Sequence, residues 1–478
     1  MISKKVKENK KLILDSFNNT SDLIYYEFEI SNKLKAIVFY IEGFIDRDLL
    51  DRDIIKPLIH NGESSDIKRT ISISNLSEEE DMKKVIDKIV SGNVAIFIEG
   101  ELKAYLVNLK QWEKRAINEP PAEAVVRGPK EGFIEDLNSN KNLIRRKIKT
   151  NNLVFEDFQV GKQTKTQVSI AYINGIANAN IVEEVRKRIM NINTDSVLDS
   201  GYIEQFITDN PSSILPTIGN TQKPDVAAGK LLEGRIGIIC DGSPHVLTVP
   251  RLFIENIQTG EDYYLSPYLA SFLRTIRNFS LFLSIALPGL YVALSTFHQE
   301  MIPTVLLVTM AGAREAVPFP AFIEATLMII ILELIKESGV RLPRAFGSAV
   351  SIVGALVLGQ AAVQAGIVSA PMVIVIAVTA IAEFTVPALT EAITLYRFII
   401  LFLGSFMGLY GIACGFVVLI VQGLSLESFG VSYGYPISPT NPTGLKDFII
   451  RFPLWSFIFR PIGIEKNNRI RNIRNGKK

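Results

Sequence analysis

From Ala345 to Ala382 the chain runs for 38 residues without a charged side chain. An α-helix rises about 1.5 Å per residue, so about 20 residues cross the roughly 30 Å hydrocarbon core of a bilayer. A buried helix of a soluble protein seldom extends so far uncharged, and the run predicts lipid-embedded structure. Within it, "GSAVSIVGALVLGQAAVQAG" (347–366) is built largely of Gly, Ala and Ser and carries two glutamines.

Charge divides the chain in the same way. Residues 279–426 hold 12 charged side chains in 148 positions, against 76 in the first 278, so two solvents are implied. The closing segment, 446–478, has nine Lys or Arg against two acids, which suits an anionic, cytoplasmic-type membrane face. The opening "MISKKVKENKKLILDSFNNT" is basic and lacks an apolar core of signal-peptide length, so the first domain is expected on the inner side. Cys240 and Cys414 fall in different regions and suggest no disulfide, and three histidines leave little room for a metal cluster.

The expected fold is an α/β or α+β soluble domain of two similar subdomains followed by an α-helical transmembrane bundle. The boundaries are 1–150 (first subdomain plus a charged connector), 151–270 (second subdomain), 271–426 (membrane) and 427–478 (basic cytoplasmic tail). Duplication rests on two matches in the same order. "AIVFYIEGFID" resembles "SIAYINGIAN", with Tyr40, Ile41 and Gly43 over Tyr172, Ile173 and Gly175, each 132 residues later. "GNVAIFIEGELKAYLVNL" resembles "GRIGIICDGSPHVLTVP", each a hairpin whose turn is an acid-Gly pair, Glu99-Gly100 or Asp241-Gly242. Between the copies, residues 118–148 combine Pro120-Pro121 and Gly128-Pro129 with dense charge, the composition of a solvated linker. "EDYYLSPYLASFLRTIRNFS" suits an interfacial anchor or an ordinary amphipathic helix.

Four hydrophobic stretches are expected to cross: Phe279 to Phe297, Val317 to Leu334, Gly347 to Ala370 and Phe398 to Gln422. Lys336, Arg341 and Arg344 read as an inner-side loop. A basic tail inside requires an even number of crossings, which makes 371–390 partial or re-entrant. Pro288, Gly289 and Pro303 around His298-Gln299-Glu300 predict a kink and then a polar reversal at the far face.

Catalytic signatures are missing: the sequence has no Walker-type loop, no paired Cys or His at metal spacing and no Gly-x-Ser-x-Gly elbow. The reading assigns no catalytic residue, metal or cofactor and no nucleic-acid partner. At 100° per residue, Gly347, Ser351, Ala355 and Gly359 follow one another along one side of the 347–366 helix, a small-residue seam for close packing. Val353, Val357, Gln360 and Gln364 gather on nearly the opposite side. Amides in hydrocarbon need partners, and two readings stand: hydrogen bonds to a neighbouring helix, or a pore lining with an apolar constriction and a polar mouth in a ring of subunits. Acids also occur at Glu300, Glu315, Glu324, Glu333, Glu383 and Glu391; several flank expected interfaces, whereas Glu324 lies seven residues into a hydrophobic stretch and is a candidate ion or helix-pairing site.

The stretches "EGFIDRDLL", "VVRGPKEGFIEDLNSNKNLIRRKI", "ICDGSPHVLTVP", "LPGLYVALSTFHQEMIP", "REAVPFPAFIEATLM", "VSIVGALVLGQAAVQAGIVSA" and "KDFIIRFP" resemble the A subunit of the GerA family of bacterial spore germination receptors. The resemblance runs from about Glu42 to Arg460. It implies a multi-pass protein of the spore inner membrane, with cytoplasmic N-terminal domain and tail, that works with a permease-like B subunit and a lipoprotein C subunit. It further implies a homo-oligomeric ring in membrane lipid that passes monovalent cations when nutrient binds. A paralogous branch tied to a later spore-membrane channel system shares most of these motifs. The long charged stretch "RGPKEGFIEDL" implies contacts by Arg127, Lys130, Glu131 and Glu135 within or between soluble domains. Glu383 and Glu391 depart from the small or neutral residues expected of relatives. The function expected is a nutrient-gated cation channel subunit, and the alternative is a non-conducting scaffold coupling the permease-like subunit to effectors.

Overall fold

The computed structural model describes residues 2–30, 34–61, 70–71, 76–110, 120, 123, 125–341, 359–442, 444–461, 464 and 470–471. Two copies of one subdomain come first. The first comprises α1 (Val6–Ser16), β1 (Leu23–Ile30), β2 (Leu34–Ile41), α2 (Arg47–Leu50), α3 (Lys56–Asn61), β3 (Leu76–Glu79), α4 (Met82–Val90), β4 (Val94–Ile98) and β5 (Ala104–Val107). The second comprises α5 (Leu137–Lys147), β6 (Leu153–Val160), β7 (Thr166–Ile173), α6 (Ala179–Met190), α7 (Ser200–Ile207), β8 (Gly219–Thr221), α8 (Pro224–Leu232), β9 (Ile236–Cys240) and β10 (Val246–Val249). The sheet orders, β1-β2-β4-β5-β3 and β6-β7-β9-β10-β8, coincide strand for strand, and all neighbours are antiparallel. The duplication read from the sequence is therefore a duplication of topology.

Local chemistry sets these elements. The paired glycines Gly43 (φ 73°) and Gly175 (φ 82°) turn the chain out of β2 and β7 in the left-handed region, where a Cβ is disfavoured. Asp46, Asp81, Asp136, Asn178 and Asp199 start α2, α4, α5, α6 and α7, each accepting from a backbone amide of the first turn. Alternation along the second sheet then separates two cores. Val168, Ile170, Ile236 and Ile238 meet Val185 of α6 and Ile203 of α7, while Ala171, Ile173 and Ile239 meet Ile144 of α5 and Leu231 of α8. Helices on both faces explain why β4 and β9 are buried at every position.

The copies are joined by a buried ion pair and its hydrogen bonds. Arg145 of α5 makes a bidentate pair with Asp22 (2.8 and 2.7 Å), donates to the Thr150 carbonyl, and is fully buried. Thr20 bridges Asp22 and the Phe155 amide at 2.6 and 2.9 Å. The connector is not a solvated linker: Glu123 accepts from Thr221 and the Gln222 amide, and the Phe133 amide donates to the Gln222 carbonyl, so it runs along the second subdomain.

The membrane part comprises α9 (Pro267–Thr296), α10 (Thr304–Arg314), α11 (Ala321–Arg341), α12 (Gly359–Gln364), α13 (Ala370–Phe384) and α14 (Thr390–Ser425). The expected anchor and first span are one helix: α9 starts on a Ser266 cap and continues through Pro288, where the sequence predicted a kink. Gly289 permits close approach, because a Cβ there would lie 2.9 Å from the Ile400 carbonyl, and one at Gly404 would lie 2.9 Å from the Gly289 carbonyl. Both α9 and the segment Pro387–Ser425 are long and apolar enough to cross a membrane.

The second of these is not one straight helix, as expected of Phe398 to Gln422. At Gly408 (φ 60°, ψ −144°) the helix breaks. Gly411 then approaches the Leu403 carbonyl, Gly415 approaches Ile400, and Tyr396 donates to Gln422 across 26 residues at 3.2 Å. A straight helix would hold positions 400 and 415 more than 20 Å apart, so residues 390–407 and 409–425 form an antiparallel hairpin. Its first half runs parallel to α9, since Ser284 is level with Arg397 and Phe297 with Gly408. Hydropathy is the same for a straight helix and a folded one, which is why the sequence did not reveal the turn.

That backbone conformation is almost exclusive to glycine, and a Cβ at Gly408 would meet the His298 ring at 2.7 Å. Gly408→Ala is therefore expected to destabilise the bundle by more than about 1–3 kcal/mol, read as a lowered midpoint when the detergent-solubilised chain is unfolded in denaturant. An unchanged midpoint would show that the turn does not need glycine.

Candidate functional site

Four membrane helices converge on one ring of charge. Arg397, on the first half of α14 and fully buried, donates through Nε to the Ser284 carbonyl of α9 at 2.8 Å. Its Nη1 faces Glu333 Oε1 of α11 at 3.3 Å, and its Nη2 donates to Glu383 Oε2 of α13. Lys336, one turn on from Glu333, closes the ring with Nζ 2.7 Å from Glu383 Oε1 and 2.8 Å from Glu333 Oε2. Charges alternate around it, and the side chains of Glu383 and Lys336 are 2% and 17% exposed. Charges this deep in an apolar bundle persist only when each meets its opposite and its remaining hydrogen-bonding atoms find partners. Lys336 is accordingly not part of an inner-side loop, as the sequence was read, because α11 continues through it to Arg341.

Glu324, on the same helix, is also fully buried. Its Oε1 accepts from the Ser369 amide (2.6 Å) and hydroxyl (2.5 Å) at the start of α13. Its Oε2 has no hydrogen-bond partner among the described residues, and Arg314 Nε of α10 stands 3.9 Å away. The two acidic sites lie at different depths, Glu324 beside Tyr291 of α9 and Glu383 nearer Ser284.

The glutamine helix is described in part. Gly359 is buried, with space for a Cβ 3.5 Å from Val373 of α13, while Gln360 and Gln364 are both exposed on α12. Gly347, Ser351, Val353, Ala355 and Val357 lie outside the described residues. In the connector, the Arg127 amide donates to Glu261, exposed Lys130 precedes Glu131, and the Glu135 carbonyl accepts from Gly242. Glu131 pairs with Arg146 (3.2 Å) and Lys147 (3.0 Å); burial alone would raise its pKa, and these two cations hold it below the ordinary glutamate value. Among the described residues, no group of three or more His, Cys, Asp or Glu could hold a metal ion.

Below the bundle a second charged cluster fastens α9 to the soluble module. Arg274, fully buried, pairs with Asp262 (2.8 Å) and with Asp447 of the tail (2.7 Å), Arg277 pairs with Asp262 (2.8 Å), and the Tyr263 hydroxyl donates to Asp447. Burial pushes the Asp262 carboxyl up, but Arg277 and Arg274 hold it below its usual range. The tail returns here: β11 (Glu427–Ser428) and β12 (Val431–Ser432) bring Phe429, Val431 and Tyr435 into the second subdomain's core.

Sequence reasoning missed Arg397. The signal available for it is an Arg beside the apolar stretch that starts at Phe398, together with Glu383, which departs from the small or neutral residues expected of relatives.

The family described as Bacillus/Clostridium GerA spore germination protein matches residues 11–462. The chain belongs to the GerA family of spore germination proteins. It is 42% identical to spore germination protein KA of Bacillus subtilis (strain 168), over 98% of this chain and 88% of that one. It is 41% identical to the B. subtilis membrane protein YfkQ (98% and 93% covered) and 37% identical to spore germination protein GerLA of Bacillus cereus (93% of each). The solved N-terminal domain of the Bacillus megaterium germinant receptor A subunit GerK3 is 34% identical, over 53% of this chain and 97% of that domain, with a TM-score of 0.43. The chain is thus a GerA-type receptor A subunit, a non-enzymatic membrane protein of the spore inner membrane whose family implies a receptor complex with B and C subunits.

Two outcomes follow from this geometry. Arg397→Met leaves Glu383 and Glu333 sharing Lys336 alone, and the bundle is expected to lose about 3–5 kcal/mol; Arg397→Met with Glu383→Gln, which removes one charge of each sign, should recover part of it. Equal denaturation midpoints for the single and double variants would contradict the ring. In the soluble module, burial pushes Glu255 up, but Arg235 (2.5 Å), Lys230 (3.1 Å) and the Leu252 amide outweigh it and hold its pKa at about 2, against an ordinary 4.5. A carboxyl depressed on folding stabilises above its unfolded pKa and loses that contribution as pH falls through the folded one. Acid titration of stability should therefore show a loss of roughly 3 kcal/mol from this group between about pH 5 and pH 2. Glu255→Gln should be less stable at neutral pH and lose less on acidification.

Proposed function

We propose that this A subunit assembles as a ring and forms the cation-conducting path of a nutrient-gated receptor, with its N-terminal subdomains and its tail both on the cytoplasmic face. The observation that carries this reading is Glu324, a carboxylate wholly buried among apolar helices with one oxygen lacking a hydrogen-bond partner among the described residues. Ionisable groups at such depth are costly and commonly mark ion pathways. Two further observations support it. The hairpin brings the chain back to the second subdomain, as an even number of crossings requires. Gly359 faces α13 while Gln360 and Gln364 stay exposed, which leaves the amide face free for a pore or a neighbouring subunit.

A second reading, a non-conducting scaffold between the permease-like subunit and downstream effectors, is favoured by the charge-balanced ring around Arg397, which ties helices together without leaving a charge for an ion. Glu324→Gln separates the two, because the amide keeps an acceptor for Ser369 while removing the charge. With oligomer level measured beside it, the channel reading expects cation release from triggered spores to slow several-fold at unchanged assembly, and Val353→Ala or Val357→Ala to leak before nutrient is added. Normal release and tightness in all three assembled variants would leave the scaffold. Cysteine labelling that reached the soluble module and residue 446 from opposite sides would overturn the topology.

A further inference from the structure

Where the membrane helices meet the soluble module, the described residues surround a cavity of about 320 Å³. Its wall is formed by Ile285 of α9, Ile393 from the first half of α14, and Phe416 and Leu419 from the second, and Phe253 and Phe448 line it from the soluble side. We infer that this cavity is a lipid site, filled by an acyl chain of a phospholipid from the leaflet next to the soluble module.

Size and chemistry select the ligand class. The volume falls at the lower end of the roughly 300–1,000 Å³ typical of small-molecule sites. Apolar cavities do not hold water, and side chains around an empty one forfeit dispersion contacts, so a space this large calls for an apolar occupant. Position selects among apolar species. The lining residues Phe282, Ile420 and Leu424 are 46%, 58% and 41% exposed on segments long and apolar enough to cross a membrane, which aims the mouth of the cavity towards lipid. Asn278, one turn along α9 from Arg274, also lines it, and Arg274 Nη1 donates to the carbonyl of the lining residue Phe448, which places the charged cluster of Arg274, Asp262 and Asp447 beside that end. A molecule with a polar head at that cluster and an apolar tail between α9 and the hairpin fits this order. The nine basic residues of the closing segment, against two acids, favour an anionic head. This inference does not rest on ion conduction.

The test uses the full chain in nanodiscs of phosphatidylglycerol. After annular lipid is stripped with detergent, native mass spectrometry should find one phosphatidylglycerol retained per chain. Ala392→Phe and Gly423→Val, which fill the space from two walls, should retain none while eluting at the wild-type size; a Cβ at Gly423 meets its nearest neighbour, Leu215, at an ordinary 3.7 Å. A wild-type chain that gives up all its lipid, or filled variants that keep it, would overturn the assignment, as would a retained mass of free fatty acid. Should both variants misfold, the wild type decides: phosphatidylglycerol with a mid-chain diazirine should label peptides containing Ile393 and Phe416. Labelling confined to outward residues such as Phe402 and Phe406 would show that the cavity is closed to lipid, for instance by a neighbouring subunit.

Discussion

A guanidinium cannot remain alone in hydrocarbon, and Arg397 makes the membrane domain answer to that constraint. Its five donors require acceptors from several directions, and α9, α11 and α13 supply them as the Ser284 carbonyl, Glu333 and Glu383. Lys336 then neutralises the second carboxylate. Moving α11, α13 or the first half of α14 by a turn would strand a buried charge, so the ring specifies their register where apolar packing, which is tolerant of sliding, specifies little. The glycines serve the same arrangement: Gly289 and Gly404 let α9 and α14 approach closely enough for Arg397 to reach a backbone carbonyl, and Gly411 and Gly415 let the hairpin close.

The soluble module is joined to this bundle by buried contacts. Its two subdomains share the buried Arg145–Asp22 pair, and the second takes the returning tail into its core. Asp262 and Asp447 then hold Arg274 and Arg277 at the base of α9. Because α9 continues unbroken from that cluster to the far end of the bundle, a single helix connects the base of the second subdomain to Ser284, and so to Arg397.

Local order in the chain made much of this legible. Strand alternation, the glycines after Tyr40-Ile41 and Tyr172-Ile173, and the acid-Gly hairpins are short-range signals, and they were enough to reveal the repeated subdomain. Composition separated the aqueous part from the lipid-facing part, because each segment must match its solvent over its whole length. Glu324 stood out as an acid inside an apolar stretch for the same reason.

Contacts between distant residues were a different matter. Glu333, Lys336 and Glu383 looked like separate boundary or loop charges and Arg397 went unread, because their attraction exists only at the distances reached after the helices pack. The turn at Gly408 left no mark on hydropathy, and the connector looked like a linker until Gln222 and Thr221 supplied its partners. Solvent preference is a property of each segment and can be read one residue after another, whereas charge neutralisation and close backbone approach belong to pairs of segments. Those the tertiary structure alone decided.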